Sequence, residues 1–371
     1  MTASPVGVVI TGGGTGGHVT PALAIADALV AHGHPVSSIR FVGAARGLEA
    51  RAVPDAGFAI ELLTLDGIQR SVHPRAVIRS IRAVFAFVGA WWHCVRRFRV
   101  SPPTVVVGVG GYASAPAVLA ARTLRLPTVV HEQNAVPGVV NRLAVRCGAR
   151  AAVSFPVPRW PAATVTGNPV RAAIRTVRRD AESRPGPPLL AVVGGSLGAG
   201  PLNDAVLGLY DQWRDRSDIA VRHVAGTRNY EDCRNRLDAR RRPGDRLAYE
   251  LVEYEHDMAS LYEQAALVLA RAGATTVAEI ATVGVPSILV PWAGSAEGQQ
   301  SANAAALAAL GAAEVIPDAE CTADRVGVLV RELLGDPDRL AAMGRAARGL
   351  GHPDAHERLV RLIEEAASGA R

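Results

Sequence analysis

Lysine is absent: all 40 basic residues of the 371-residue chain are arginine. A lysine Schiff base, the phosphate-binding lysine of a Walker A loop and the strand lysine of protein kinases are therefore excluded, and with them pyridoxal-phosphate enzymes, P-loop NTPases and standard kinases. Cysteine is scarce, with 4 residues (Cys94, Cys147, Cys233 and Cys321) far apart and no C-x-x-C pair. That spacing argues against a disulfide framework or a zinc site and suits a reducing compartment. Long apolar runs are missing too. The uninterrupted stretch Ala83 to Trp92 is far short of the ~20 residues that span a bilayer. The start MTASPVGVVITGGG lacks a basic segment and turns to glycine after a few apolar residues. It reads as a first strand, not a signal peptide, and the protein is expected on the cytoplasmic side.

What is present suffices for two cores. Hydrophobic residues make up 49% of the chain and charged residues 20%, and the length suits two domains. Charge is divided unevenly: residues 1–164 hold 16 arginines against 6 acids, the remainder 24 against 28. The first half is thus the one expected to meet an anion, whether nucleic acid, phosphorylated substrate or anionic lipid.

Short β-branched runs alternate with helical patterns. Val6 to Thr11, Ile39 to Gly43, Phe58 to Leu63, Thr104 to Val107 and Thr128 to His131 read as strands, with helices near 20–32, 115–124 and 137–146. Continuous apolar strands bounded by glycine indicate a parallel sheet covered on both faces. The Arg- and Pro-rich stretch 168–188 breaks the pattern and reads as a linker. The pattern resumes at Leu189 to Val193, Ile219 to Val224, Leu247 to Val252, Leu267 to Leu269 and Ser287 to Val290. The expected fold is α/β: two doubly wound Rossmann-like domains, 1–167 and 189–351, facing each other across a cleft. The last helix, near 352–371, is expected to pack back on the first domain.

Four glycine- or Thr-rich clusters fall at strand-to-helix turns: Thr11 to His18 (TGGGTGGH), Gly108 to Ser114 (GVGGYAS), Gly194 to Gly200 (GGSLGAG) and Arg271 to Glu279 (RAGATTVAE). Amides at such turns lack helical partners and attract anions, so the set suggests ligands rich in phosphate. The first cluster also satisfies G-x-G-x-x-G at Gly12, Gly14 and Gly17. A dinucleotide site, however, wants an acid at the end of the second strand, and none occurs there before Glu49. In the last cluster Thr275 and Thr276 open a helix, and Glu279 follows one turn later on the same face, where a carboxylate can accept both hydroxyls of a ribose.

Segment 76–100 is separate from these. Ile78, Ile81, Phe85, Val88 and Trp92 recur at helical spacing, Trp91 adjoins Trp92, and arginines flank the run. This suits a helix lying in a membrane interface, and equally a core helix with arginines at its rim; the tryptophan pair favours the membrane.

GGGTGGHVTPALAIADAL, GVGGYASAPAVLAA, HEQNAVPGVVNRLA, TGNPVR, GGSLGA and RAGATTVAEIATVGVPSILVPW with Gln299-Gln300 together resemble, in order and spacing, the MurG family of peptidoglycan N-acetylglucosaminyltransferases. The resemblance runs from about residue 6 to 350. It implies a GT-B fold and an inverting transfer, with no metal or other cofactor, from UDP-N-acetylglucosamine to the C4 hydroxyl of lipid I, the undecaprenyl-diphospho-N-acetylmuramoyl-pentapeptide. It also implies a peripheral place on the cytoplasmic face of the cell membrane, an anionic membrane surface and proteins of cell-wall synthesis and division as partners, and no nucleic acid.

Residue by residue, the resemblance makes Glu279 the ribose ligand, puts Ala274, Thr275, Thr276 and Ser196 on the phosphates, Arg171 beside the departing UDP, and Gln299 and Gln300 on the sugar hydroxyls. Thr15, Gly16, Gly17 and Asn134 are implied on the donor, Asn134 near the reacting sugar, while Gly13 to Gly17 as a whole is the first of two glycine loops implied to hold the lipid diphosphate. Gly13, Gly14, His18, Gly110, Gly111 and Tyr112 are implied to hold the lipid diphosphate. For the catalytic base His18 comes first, since the dipole at a helix start favours neutral imidazole, and Glu132 second. Each also has a structural reading: the histidine as a helix cap, the glutamate as an anchor for a backbone loop. Two features depart from the family pattern, Glu255 where an apolar residue is usual and the loop Ala293 to Gly298. Another GT-B transferase with a lipid or secondary-metabolite acceptor is the competing reading.

Overall fold

The computed structural model describes residues 7–14, 16–65, 74–179 and 186–369, with side chains omitted for 74–82. The chain divides into two compact units, Met1–Pro169 with Asp354–Arg371, and Val170–Pro353.

Unit 1 is built on β1 (Val8–Thr11), β2 (Ile39–Ala44), β3 (Ala59–Leu63), β4 (Val105–Gly108), β5 (Thr128–Glu132), β6 (Arg150–Val153) and β7 (Thr164–Val165). They form one parallel sheet in the order β3-β2-β1-β4-β5-β6-β7. The central strands β1 (VVIT) and β4 (VVVG) are buried at every residue, which is why their sequences run apolar without alternation. Between the strands run α1 (Gly16–Ala31), α2 (Glu49–Asp55), α3 (Pro74–Val100), α4 (Ala115–Thr123) and α5 (Val139–Arg146). Thr11 pairs in register with both Val42 and Gly108, so the turns after β1, β2 and β4 leave the sheet at one edge. The C-terminal helix, Ala355–Ala367, buries Leu359, Val360 and Ile363 in the same core as Ile10, Ile25 and Leu29.

Unit 2 begins with the short helix α6 (Ala172–Arg175), inside the stretch expected to be a linker; Ile174 is buried there. Then follow β8 (Leu189–Val193), α7 (Gly200–Trp213), β9 (Ala220–Val224), α8 (Tyr230–Asp238), β10 (Ala248–Val252), α9 (Met258–Gln264), β11 (Ala265–Ala270), α10 (Ala274–Val283), β12 (Ser287–Leu289), α11 (Gln299–Ala308), β13 (Ala313–Val315), α12 (Ala323–Leu334) and α13 (Pro337–Gly349). The sheet is again parallel, in the order β10-β9-β8-β11-β12-β13. Val193 is level with Val224 and Ala270, so the turns 194–199, 225–229 and 271–273 emerge side by side. Carboxyl edges of parallel sheets are where α/β proteins hold ligands.

Candidate functional site

In unit 1 the first glycine turn is held from within. Glu49, at the start of α2, is 1% exposed; its Oε2 accepts from Gly14 N at 2.8 Å and its Oε1 from Ala44 N at 2.9 Å. The carboxylate fits because Gly13 and Gly47 have no side chains: a Cβ on either would lie 2.1 Å from it. The Gly14 amide, expected to face an anionic ligand, is therefore already bonded to an internal anion. Sequence reading missed this role because Glu49 lies 35 residues from its partner.

His18 stands in the first turn of α1, and its ring rests on the second glycine turn. A Cβ on Gly110 would come within 3.2 Å of it and one on Gly111 within 3.3 Å. Burial pushes the imidazole pKa down, opposed by the charge of Glu49, so the ring is held neutral. The Tyr112 ring lies over Gly14. Thr15 falls outside the described residues; Gly16 and Gly17 open α1.

Glu132 ends β5 almost fully buried and accepts four hydrogen bonds. Its Oε1 takes Asn134 N (3.1 Å) and Asn134 Nδ2 (3.2 Å), and its Oε2 takes Gly138 N (2.9 Å) and Asn141 Nδ2 (2.8 Å). Burial pushes its pKa up against those four donors. This is the loop-anchoring arrangement, and it occupies Asn134 as well. Beside it His131 donates from Nε2 to Gly167 O at 3.0 Å, takes a hydrogen bond from Gln133 at Nδ1 (3.1 Å), and burial lowers its pKa to about 4. Thr11 Oγ1, Asn141 Oδ1 and both amide atoms of Asn168, none of which sequence reading singled out, belong to the buried polar atoms that have no partner among the described residues. An unsatisfied buried polar group costs about 1–3 kcal/mol, and Asn168 lies inside the motif TGNPVR, the one sequence signal that pointed at it.

In unit 2 the N-terminus of α10 is open. Gly273 precedes it in an extended conformation, no side chain caps it, and Thr275 Oγ1 is buried without a partner. Glu279 follows one turn on, 4% exposed, with Arg171 Nη2 donating to Oε1 at 3.1 Å and the Tyr262 hydroxyl to Oε2 at 3.1 Å. Burial raises the Glu279 pKa, opposed by Arg171 and Tyr262. One donor on each oxygen leaves further lone pairs for a diol. Arg171 thus pairs with the expected ribose ligand itself, and Tyr262, wholly buried, is a site neighbour that no motif had indicated.

Ser196 is exposed in the turn before α7, and its carbonyl accepts from Thr227 N at 3.1 Å. Gln299 and Gln300 open α11; Gln300 Oε1 accepts from Trp292 N at 2.9 Å and Gln300 N donates to Ser295 Oγ at 3.3 Å. Glu255, the departure from the family pattern, is buried in an ion pair with Arg222 Nε at 2.7 Å and accepts from Asp257 N at 2.9 Å. An acid is tolerated there because both its oxygens are satisfied.

α3 shows two faces. Ala83, Ala90, Cys94, Val95 and Phe98 turn into the core, whereas Phe85 (73%), Val88 (49%) and Trp92 (48%) are exposed, with Arg99 over the Trp92 ring. Trp91 does not share the outer face: one residue along a helix is a rotation of about 100°, and Trp91 packs against the core. The side chains of Ile78 and Ile81 lie outside the described residues. Among the described residues no helix is long and apolar enough to cross a membrane.

The comparisons cover both units. Residues 8–153 match the Glycosyltransferase family 28 N-terminal domain and residues 189–359 the Glycosyltransferase family 28 C-terminal domain. The chain is 40% identical over 365 residues to the UDP-N-acetylglucosamine--N-acetylmuramyl-(pentapeptide) pyrophosphoryl-undecaprenol N-acetylglucosamine transferase of Alkalilimnicola ehrlichii, covering 97% of this chain and 99% of that protein. It is 38% identical to the protein of the same name from Desulforudis audaxviator, covering 97% and 98%. Among solved structures it is similar to Acinetobacter baumannii MurG, with a TM-score of 0.80 and 30% identity over 97% of this chain and 100% of that one. Matched in both domains and along nearly its whole length, the chain belongs to glycosyltransferase family 28, in its MurG branch.

Proposed function

We propose that this enzyme transfers N-acetylglucosamine from UDP-N-acetylglucosamine, with inversion, to the C4 hydroxyl of undecaprenyl-diphospho-N-acetylmuramoyl-pentapeptide, releasing UDP and lipid II. The observation that carries the donor half is the open start of α10 with Glu279 one turn behind it. Backbone amides and the Thr275 and Thr276 hydroxyls there suit the two phosphates, and a buried carboxylate with unused lone pairs suits the ribose diol. Arg171, 42% exposed at its side chain, has room to turn from Glu279 toward the diphosphate, where a fixed positive charge stabilises departing UDP. Ser196 adds a hydroxyl from the neighbouring turn, and Gln299 and Gln300 read the sugar hydroxyls. The Glu255–Arg222 pair borders the base-binding side without removing the backbone groups there.

His18 is the base. It is held neutral by burial, so it can take the C4 proton as the oxygen attacks the anomeric carbon from the face opposite UDP. Glu132, with four donors on its two oxygens, positions the loop that carries Asn134 and ties it to Asn141 in the first turn of α5. The acceptor diphosphate is held by the second glycine turn, Gly110 to Tyr112, and by the start of α1; the Gly13–Gly14 turn shapes the wall.

The acceptor carries a polyprenyl tail, so unit 1 works at the cytoplasmic face of the membrane. Phe85, Val88 and Trp92 form an apolar stripe on α3, and the exposed Arg96, Arg97 and Arg99 supply attraction to anionic headgroups. Partners among cell-wall and division proteins belong to the same setting. The test is UDP release by the purified protein, followed with a coupled assay. It should require UDP-N-acetylglucosamine and a lipid I analogue together. Release that is independent of the analogue, or equally fast with any muramic-acid-free acceptor, rejects the reading.

A further inference from the structure

We propose that a relay, Tyr249–His223–Asn203, half-buried at the tyrosine and buried at the other two, positions the phosphate-binding turn of unit 2 by fixing the carbonyl of Ala225. The proposal rests on the donor half of the reading above, in which the turn Gly194 to Gly200 meets the nucleotide phosphates.

The polarity of the relay follows from its end. Asn203, in the first turns of α7, is buried and donates from Nδ2 to Ala225 O at 3.1 Å. A carbonyl only accepts, so the amide orientation is settled and Oδ1 faces His223 Nε2 at 2.9 Å. That nitrogen therefore carries the hydrogen. His223 Nδ1 is then an acceptor, and takes the hydroxyl proton of Tyr249 at 2.8 Å. Burial pushes the His223 pKa down to about 4, which keeps the ring in this neutral tautomer at neutral pH. The three side chains come from β10, β9 and α7, and each bonding position along the line is used. Such a network adds little net stability over apolar residues of the same volume; what it specifies is an orientation.

The orientation is that of the peptide following β9. Ala225 N donates to Val252 O at 2.9 Å, so the relay and the backbone hold this residue from both sides. Its carbonyl lies where a Cβ on Gly198 would be 2.0 Å away, and a Cβ on Gly226 would be 2.0 Å from Gly198 N. The two turns therefore touch backbone to backbone, and a swing of the Ala225 carbonyl would push Gly198. Further bonds draw the same turn back: Thr227 N and Oγ1 donate to Ser196 O at 3.1 and 3.2 Å, and Asn229 Nδ2 donates to Leu197 O at 3.2 Å. Since a peptide N–H points opposite to its C=O, holding the Ser196 carbonyl inward turns the Leu197 N–H outward, next to the exposed Ser196 hydroxyl. Those are the groups a phosphate would meet. His223, Asn203 and Tyr249 touch no substrate and are positioning residues.

The test is calorimetric binding of UDP and of uridine, which lacks the phosphates, with thermal melts alongside. Wild type should bind UDP far more tightly than uridine; if it does not, the donor reading fails before the relay is tested. His223→Phe keeps the volume and leaves Asn203 Oδ1 and the Tyr249 hydroxyl unpartnered, and should weaken UDP roughly ten-fold while uridine binding stays constant. His223→Gln can donate to Asn203 and accept from Tyr249, and should retain wild-type UDP binding. If His223→Phe does not fold, Asn203→Asp serves, since it sets a carboxylate oxygen against Ala225 O with no change in size. It too should lose UDP selectively. A folded His223→Phe or Asn203→Asp protein with wild-type UDP affinity, or with UDP and uridine weakened equally, overturns the proposal. So does His223→Gln binding UDP as poorly as His223→Phe.

Discussion

Replacing Glu279 by glutamine isolates the donor chemistry with little disturbance of the fold. Arg171 Nη2 and the Tyr262 hydroxyl each donate to one oxygen of the carboxylate, both at 3.1 Å. Glutamine keeps Oε1 on Arg171 and turns Nε2 toward Tyr262, whose hydroxyl can rotate and accept. Both neighbours therefore stay bonded. Burial raises the pKa of the Glu279 carboxyl, and an acid whose pKa is raised on folding loses stability as pH climbs from the ordinary carboxylate range through that raised value, so a neutral isostere should fold at least as well at pH 7. What glutamine cannot supply is a charged double acceptor for the ribose diol. A charge-assisted hydrogen bond of about 1.5–3 kcal/mol corresponds to roughly 10- to 150-fold in binding. Initial rates with UDP-N-acetylglucosamine varied at a saturating acceptor analogue should show KM rising by that range. A folded Glu279→Gln enzyme with wild-type donor KM would refute the assignment.

Other expectations follow from the remaining parts of the site. His18→Ala should lower kcat by about 10²- to 10⁴-fold with UDP affinity unchanged. Glu132→Gln should instead lower the melting temperature, by about 1–3 kcal/mol of stability, as one amide N–H meets donors it cannot accept from; a near-silent His18→Ala beside an inactive, fully stable Glu132→Gln would reverse the two roles. His131 and His223 both have pKa values lowered to about 4 from 6.5, so the unfolded chain takes up their protons first. Stability should be intact above pH 6.5 and fall toward pH 4 by about 3 kcal/mol for each histidine, and melts across that range on the His131→Gln, His223→Gln double variant should show a flatter profile. Phe85→Ser, Val88→Ser and Trp92→Ser combined should reduce cosedimentation with anionic vesicles and activity on full-length lipid I, yet spare a soluble short-chain acceptor. Wild-type binding should weaken with salt, and equal binding by the triple variant would mark this face as irrelevant to the membrane.

The strands VVIT and VVVG were legible because burial on both faces leaves one solution, an unbroken β-branched run, whereas β6 (RAAV) and the two-residue β7 carry too little apolar pattern to be seen. Thr275, Thr276 and Glu279 could be set on one face from helical periodicity alone. Periodicity also admitted Trp91 beside Trp92 and could not say which of the two a core helix would draw inward. Pairings across long separations were illegible for a different reason. That Glu49 fills the space left by Gly13 and Gly47, or that Tyr262 and Arg171 share the Glu279 carboxylate, depends on which strands are neighbours, and no local signal records it. Glu132 shows the limit most plainly: the sequence sets a carboxylate at a strand end, and no local signal announces the four donors that surround it.

The product of the reaction decides whether this enzyme makes lipid II. Purified protein is incubated with UDP-N-acetylglucosamine and a lipid I analogue, and the product is examined by mass spectrometry and by the proton coupling at its anomeric carbon. A single added N-acetylhexosamine, joined by a β linkage to the C4 oxygen of the muramic acid and formed one for one with UDP, is the predicted result. An α linkage, addition to another hydroxyl, or conversion of the UDP-sugar without any transfer to the analogue would contradict it.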